Sequence, residues 1–242
     1  MLRQAKDLLE EGTEFKALLD TLSDADWQTP TPFKDWTINQ VVQHLHGSDK
    51  MAVLSLKSRE EFQASIKDRK LLGSMMNPSR TGSELLQDWW SYFQEMCELL
   101  GNSDPKRRLA WFGPDMGVMM FTTARQMETW AHGQDVYDLK KIQRNNTERL
   151  KNIAVIGART YGWTFANRKM EPPGPAPYVE LVAPSGEIWA FNEPSTDNFV
   201  KGDAVDFCHV VTQGRNIADV NLRVVGDPAI LWMSIAQCFA GP

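Results

Sequence analysis

A glutamate and a histidine four residues apart, Glu128 and His132, are the first residues whose types and spacing suggest chemistry. On a helix their Cβ atoms would lie roughly 6 Å apart on one face. A carboxylate oxygen and an imidazole nitrogen could then bind the same metal ion. Asp135 follows near the same face and could accept a hydrogen bond from a ligand or a metal-bound water. An ordinary pair of residues one turn apart, exposed or buried, would show the same spacing, so the pattern alone does not establish a metal site.

A third ligand would have to come from another segment, and His44 and His46 are the candidates. On a helical wheel His46 lies nearer than His44 to the apolar stripe of its segment, so periodicity does not select His44. Two histidines and one carboxylate leave coordination positions open for water or substrate, which is typical of catalytic sites and not of closed structural ones. A metal there would lower the pKa of bound water or bind a thiol as thiolate.

Five helices are predicted in the first two thirds of the chain, because apolar residues recur there at helical spacing. Thr37 and Gln40 form a capping box at the start of the second helix, with Trp36 as part of a hydrophobic staple. Thr81 is expected to cap the third. The predicted helices cover approximately residues 2–22, 37–57, 81–101, 118–141 and 147–167. The candidate ligands therefore lie on the second and fourth helices.

The sequence changes character at residues 171–177, where EPPGPAP interrupts the helical pattern. The part that follows is predicted to mix strands and helices. Strands are expected at 178–183, 187–191 and 222–225, and helices at 204–212 and 229–239. The predicted organisation is an all-helical domain over residues 1–170 and a small α+β domain over residues 171–242. The fold class is therefore mainly α with a small α+β part.

The composition argues against several classes of protein. The 242 residues include 26 Lys and Arg against 31 Asp and Glu, a formal net charge of −5 without a clustered basic face, which argues against a nucleic-acid partner. Three cysteines, far apart and without CxxC spacing, indicate neither a disulfide framework nor a thiolate zinc site. No stretch approaches the ~20 apolar residues of a membrane span, and the first residues lack an apolar signal region. We expect a cytoplasmic protein without a membrane partner.

Three stretches of the chain together resemble one family, the maleylpyruvate isomerase-like, DinB-type group of metal-binding proteins. They are WQTPTPFKDWTINQVVQHL at 27–45, ARQMETWAHGQDVYD at 124–138, and FCHVVTQGR with LRVVGDPAILWMSIAQCFAGP between 207 and 242. The branch most similar to this chain is labelled metal-binding or "wyosine base formation" protein. The resemblance covers nearly the whole chain, and its most specific motifs are WT-x6-HL, FGPDM and METWAHGQDV.

The resemblance implies an up-down four-helix bundle with a divalent metal, usually zinc, at one end. In mycothiol-dependent members a small C-terminal α/β domain closes over the site. Matched motif by motif, the resemblance implies His44, Glu128 and His132 as ligands, with His46 as the rival to His44. Nickel, manganese or iron would suit the same ligands. An arginine of the C-terminal domain helps hold the anionic substrate or thiol in the thiol-dependent isomerase. Arg215 resembles it and could bind a carboxylate, with an ordinary surface arginine as the alternative.

The expected function is that of a metal-dependent enzyme that activates a low-molecular-weight thiol or water against a small, anionic organic substrate. Arg215 and Asp135 are the residues expected to act beside the metal ligands. The alternative is a non-catalytic metal-binding accessory or small-molecule-binding protein. A role in tRNA modification, which the family label suggests, conflicts with the net negative charge. The sequence does not determine the oligomeric state, and a homodimer is one option.

Overall fold

The computed structural model describes residues 2–76 and 79–239, and the chain divides into two compact units, Met1–Gln143 and Arg144–Pro242. The fold is mainly helical with a small sheet in the second unit, which confirms the predicted fold class. The division into domains at residue 170 stays a prediction. None of the helices in the described ranges has the length and apolarity needed to cross a membrane.

The first unit is a four-helix bundle with shorter elements inserted between its long helices. Its elements are α1 (Arg3–Leu19), α2 (Ile38–Lys57), α3 (Arg59–Lys67), α4 (Arg69–Met76), α5 (Gly82–Gly101), β1 (Arg108–Leu109), β2 (Met116–Gly117) and α6 (Val118–Lys140). The long helices α1 and α2 each contact both α5 and α6. β1 and β2 pair antiparallel just before α6. The two helices that carry the candidate ligands, α2 and α6, are therefore neighbours in the bundle.

The predicted capping box at the start of α2 is confirmed. The hydroxyl of Thr37 accepts a hydrogen bond from the Gln40 amide at 3.3 Å, and the Gln40 side-chain oxygen accepts one from the Thr37 amide at 2.8 Å. The predicted cap at Thr81 is wrong, because its side chain makes no capping hydrogen bond. The Gly82 amide instead donates to Oδ1 of Asn39 at 2.8 Å, so a side chain of α2 takes the place of the local cap.

Large aromatic side chains fill the core between the long helices. Phe15, Trp89 and Phe93 are fully buried, and the ring of Phe15 meets that of Trp89 edge to face at 5.7 Å. Gly12 lies in the middle of α1 because the ring of Phe93 occupies the space that a Cβ atom would need. This close approach explains a glycine inside a helix, where it costs stability.

The second unit combines helices with a four-stranded mixed sheet. Its elements are α7 (Lys151–Arg159), α8 (Tyr161–Asn167), β3 (Tyr178–Val182), β4 (Ile188–Phe191), β5 (Phe199–Asp203), α9 (Ala204–Val211), β6 (Leu222–Val225) and α10 (Asp227–Ile235). The strand order is β4-β3-β5-β6, and only the central β3–β5 pair is parallel. α9 packs on β3 and β5, and α7 contacts both α9 and β4.

Several predicted elements differ from those in the structure. The helix predicted at 147–167 is two helices, because the backbone leaves the helical region at Thr160 (φ −97°, ψ 16°). The first and last predicted helices extend beyond α1 and α10 at their C-terminal ends. The strand β5 and the short helices α3 and α4 were not predicted. β5 contains Gly202 and ends at Asp203, and both residue types are depleted in strands.

Candidate metal centre

Three side chains from two helices converge in the first unit. His44 lies on α2, and Glu128 and His132 lie one turn apart on α6. Nε2 of His44 is 3.4 Å from Oε2 of Glu128, and Nε2 of His132 is 3.5 Å from the same oxygen. One ligand atom from each residue lies within 4.8 Å of the other two. Within residues 2–76 and 79–239, no other group of His, Cys, Asp or Glu side chains has this arrangement.

The spacing of these atoms fits a shared metal ion. Ligand atoms held at about 2.0–2.2 Å from a tetrahedral ion lie roughly 3.3–3.6 Å apart, and both nitrogen–oxygen separations fall in that range. Solvent can reach the group, since 31% of the His44 side chain, 22% of Glu128 and 13% of His132 are exposed. Imidazole nitrogen and carboxylate oxygen suit zinc and other divalent transition metals. The residues present therefore fit a metal with coordination positions left for water or a small ligand.

The charges and hydrogen bonds of the site lower the pKa of Glu128 and raise the pKa of His132. Burial by itself raises the pKa of Glu128, but hydrogen bonds from His132 and His44 and the charge of Arg125 outweigh it, so the pKa is well below its usual range. Burial by itself lowers the pKa of His132, but Asp135 and Glu128 outweigh it and raise the pKa to about 9. Without a metal, the two residues therefore form an ion pair at neutral pH.

Asp135 lies beside the second nitrogen of His132. Its Oδ2 is 3.7 Å from Nδ1 of His132, whereas Nε2 of the same ring points at Glu128. A carboxylate at Nδ1 favours a proton on that nitrogen, so Nε2 is the nitrogen that can give up its proton and bind a metal. The structure thus places Asp135 beside His132, and its role in support of a metal ligand stays a prediction.

A tight turn without glycine precedes α2. The amide of Trp36 donates to the carbonyl of Phe33 at 2.9 Å, and the amide of Thr31 donates to the carbonyl of Trp36 at 2.7 Å. The two central residues, Lys34 and Asp35, both have left-handed backbones, with φ of 51° and 56°. Such conformations disfavour side chains with a Cβ atom and are often found near functional sites.

This turn brings two aromatic rings to the candidate ligands. The ring of Phe33 meets that of His132 edge to face at 5.2 Å. The ring of Trp36 lies 5.5 Å from His44 and 6.0 Å from His132, nearly parallel to the latter. Sequence reasoning gave Trp36 only a packing role at the helix start. The sequence feature that could have indicated this turn is the Lys-Asp pair flanked by Phe33 and Trp36, just before the capping Thr37.

His46, the rival to His44, is not part of this group. Its side chain is buried, and its ring packs edge to face on Tyr92 at 5.3 Å. Burial lowers the pKa of His46, and the nearby charge of Lys50 lowers it further. The helical wheel correctly placed His46 toward the core. The buried side of α2 that holds His46 does not face Glu128 and His132, however.

Arg215 lies in the second unit, after α9. One of its guanidinium nitrogens donates to the Gly214 carbonyl at 2.7 Å. Arg215 and Arg168 both line a cavity of about 350 Å³ in that unit. The other residues that line it are neutral: Val210, Gln213, Asn216, Ile217, Met233, Ser234, Ile235 and Ala236. The cavity therefore carries positive charge.

Comparisons with known proteins agree with this architecture. The family model described as the mycothiol maleylpyruvate isomerase N-terminal domain matches residues 8–137. Two proteins of Mycobacterium tuberculosis, from strains CDC 1551 and H37Rv and both described only as uncharacterized, are 36% identical over 248 residues, or 98% of this chain and 95% of each relative.

Two crystal structures share the fold at low sequence identity. They are the mycothiol-dependent maleylpyruvate isomerase and a mutant of it in which a histidine is replaced by alanine. The TM-scores are 0.55 and 0.57 at 10% and 9% identity, and 86% of each chain is covered. At this identity the similarity shows the fold alone. The family resemblance predicted from the sequence motifs is confirmed by the family model that matches residues 8–137.

Proposed function

Because this chain belongs to the family of the mycothiol maleylpyruvate isomerase N-terminal domain, we propose that it is a metal-dependent enzyme acting on a small, anionic organic substrate. Its co-reactant is a low-molecular-weight thiol or water. The observation that carries the proposal is the convergence of His44, Glu128 and His132 within 4.8 Å. Zinc is the metal we propose, and nickel, manganese or iron would suit the same ligands.

The site residues have separate roles in this proposal. A metal bound there supplies a Lewis acid that lowers the pKa of a thiol or of water. Glu128 contributes one negative charge and the two histidines contribute neutral nitrogens, so a divalent ion and its three ligands together keep a net positive charge. That charge attracts a thiolate or a carboxylate. The charge of the Asp135 carboxylate, 3.7 Å from Nδ1 of His132, favours a proton on that nitrogen.

We further propose that Arg215 binds the negatively charged group of the substrate or thiol. The positive cavity that it lines with Arg168 supports this role, because a guanidinium can bind a carboxylate through two parallel hydrogen bonds. Three cysteines, all buried and far apart in sequence, are typical of a protein made in a reducing compartment, so we place this chemistry in the cytoplasm.

The first test is the metal content of the purified protein. We expect about one divalent ion per chain by elemental analysis. Glu128→Ala and His132→Ala should each abolish stoichiometric metal while the helical circular dichroism signal is largely retained. Glu10→Ala is the matched control, because Glu10 is an exposed glutamate on α1 whose carboxylate lies 3.8 Å from the Lys6 ammonium, away from the three candidate ligands in the sequence. If both site variants keep their full metal content, the proposed ligand set is wrong.

The second test is a screen with each common cellular thiol, including mycothiol and glutathione. Cobalt-substituted protein should change its visible spectrum when a thiol binds the metal, and turnover of small carboxylates should depend on that thiol. A thiol-induced spectrum without turnover would favour a non-catalytic binding protein. Loss of thermal stability on chelation, without any effect of thiol or carboxylate, would favour a structural metal.

A further inference from the structure

A buried ion pair joins α2 to α6 next to the candidate ligands. Asp49 is fully buried, and only 5% of the Arg125 side chain is exposed. Two guanidinium nitrogens of Arg125 donate to Oδ1 of Asp49, Nη2 at 2.8 Å and Nε at 3.1 Å. The indole Nε1 of Trp89, on α5, donates to Oδ2 of Asp49 at 2.9 Å. Both oxygens of a carboxylate in the bundle core therefore have charged or polar donors from two other helices.

The ion pair and the ligands lie on the same two helices. Asp49 follows His44 by five residues on α2, and Arg125 precedes Glu128 by three residues on α6. These separations correspond to roughly 7.5 Å and 4.5 Å along the helix axes. The contact that joins the two helices in the core is thus close to the contact that brings their ligand atoms together.

A buried ion pair contributes little to stability compared with well-packed apolar side chains, because both ions lose their hydration. Breaking such a pair is costly, since it leaves a charge buried without a partner. If α2 slipped by one turn against α6, about 5.4 Å, Asp49 and Arg125 would separate inside the core. The same slip would move His44 away from Glu128. The pair therefore penalises the displacements that would disrupt the ligand group.

We propose that Asp49 and Arg125 are positioning residues that fix the register of α2 against α6 and thereby hold His44 at coordination distance from Glu128 and His132. This inference rests on the proposed function, because it concerns the same site. Neither residue contacts the metal in this scheme. The charge of Arg125 also acts on Glu128 directly, whereas the effect on register reaches the site through the helices that carry the ligands.

The test replaces the charged pair by neutral side chains of similar size. In Asp49→Asn/Arg125→Met, the Asn oxygen can still accept the hydrogen bond of Trp89, and no charge is left buried. We expect a folded protein with retained helical signal, metal affinity at least tenfold weaker, and a changed visible spectrum of the cobalt form. Wild-type affinity and spectrum in this variant would overturn the proposal.

An exposed ion pair of the same unit provides the control. Arg59 donates to Asp115 through two nitrogens, at 2.7 and 3.2 Å, and both side chains are partly exposed. Asp115→Asn/Arg59→Met should leave metal affinity and the cobalt spectrum unchanged. An equal loss of affinity in this control would mean that the effect is not specific to the buried pair, and would also overturn the proposal.

Two further measurements keep the outcome interpretable. If the neutral double variant fails to fold, Arg125→Lys keeps the charge but loses the two-nitrogen contact, and we expect a smaller, measurable loss of metal affinity in a folded protein. No loss there would contradict the role of Arg125.

If the wild type binds no metal, the proposed function fails. Crystal structures of the metal-free wild type and of the double variant would then test the positioning role alone. A His44–Glu128 separation that stays at 3.4 Å in the variant would refute it.

Discussion

The imidazole rings of His44 and His132 meet edge to face, with centroids 4.7 Å apart and planes at 63°. The two residues come from different helices, so only the folded bundle brings their rings together. Their Nε2 atoms both point at one oxygen of Glu128. This arrangement distinguishes His44 from His46, which follows it by only two residues but contacts Tyr92 instead.

The first prediction separates these two histidines. His44→Ala should reduce bound metal from about one ion per chain to a small fraction, because one of three ligands is lost. His46→Ala should keep the metal and instead lower the free energy of unfolding, since a buried side chain is truncated. Elemental analysis and denaturant unfolding measure both effects. The reverse pattern, with metal lost only in His46→Ala, would mean that the helical wheel identified the ligand correctly.

The second prediction concerns the carboxylate beside His132. Asp135→Asn should weaken metal binding by about 10- to 100-fold, because the ring of His132 loses the group that orients it and makes it more basic. Competition with a chromophoric chelator measures the affinity. Asp138→Asn, one turn further along α6, is the control, since Asp138 accepts a hydrogen bond from Gln134 and is not in the ligand group. Equal affinities in the two variants would contradict the role of Asp135.

The third prediction concerns pH. The pKa of His132 is about 9 in the metal-free protein, so at neutral pH a proton occupies the ring that must donate its lone pair to the metal. Metal binding therefore has to release this proton. The apparent affinity should rise about tenfold per pH unit up to about pH 9 and then level off. Calorimetric titrations in buffers of different ionisation enthalpy count the protons released. An affinity independent of pH between 6 and 9 would contradict protonation of His132.

The fourth prediction concerns the left-handed turn before α2. Lys34 has φ of 51°, which glycine adopts without the steric penalty of a Cβ atom. Lys34→Gly should raise the free energy of unfolding of the metal-free protein by about 0.5–1 kcal/mol. Lys34→Ala removes the same charge but keeps the Cβ atom, so its stability should stay near that of the wild type. A gain in both variants would assign the effect to charge and not to the backbone.

The parts that could be predicted from the sequence depend on neighbours in the chain. The capping box of Thr37 and Gln40 involves residues three apart, and the pairing of Glu128 with His132 needs only a helix. The family resemblance then supplied His44 as the partner on the other helix. Once a segment is helical, spacing of this kind determines which side chains share a face.

The parts that could not be predicted depend on what packs against each helix. α2 contacts both α5 and α6, so its buried residues cover more than one face of the helix. A pattern of apolar residues could therefore not tell His44 from His46. Nothing near Asp49 in the sequence indicated that Arg125 on α6 and Trp89 on α5 would satisfy its charge. Contacts between residues distant in sequence decide these cases.

The ligand from α2 and the first ligand from α6 are separated by 84 residues of chain. A metal bound there would close a loop of that length, and closing such a loop costs conformational entropy that helix packing helps to offset. During synthesis the ligand set is incomplete until His132 has emerged and α6 has packed on α2. In the proposed site, a bound ion would act as a cross-link that resists separation of the two helices.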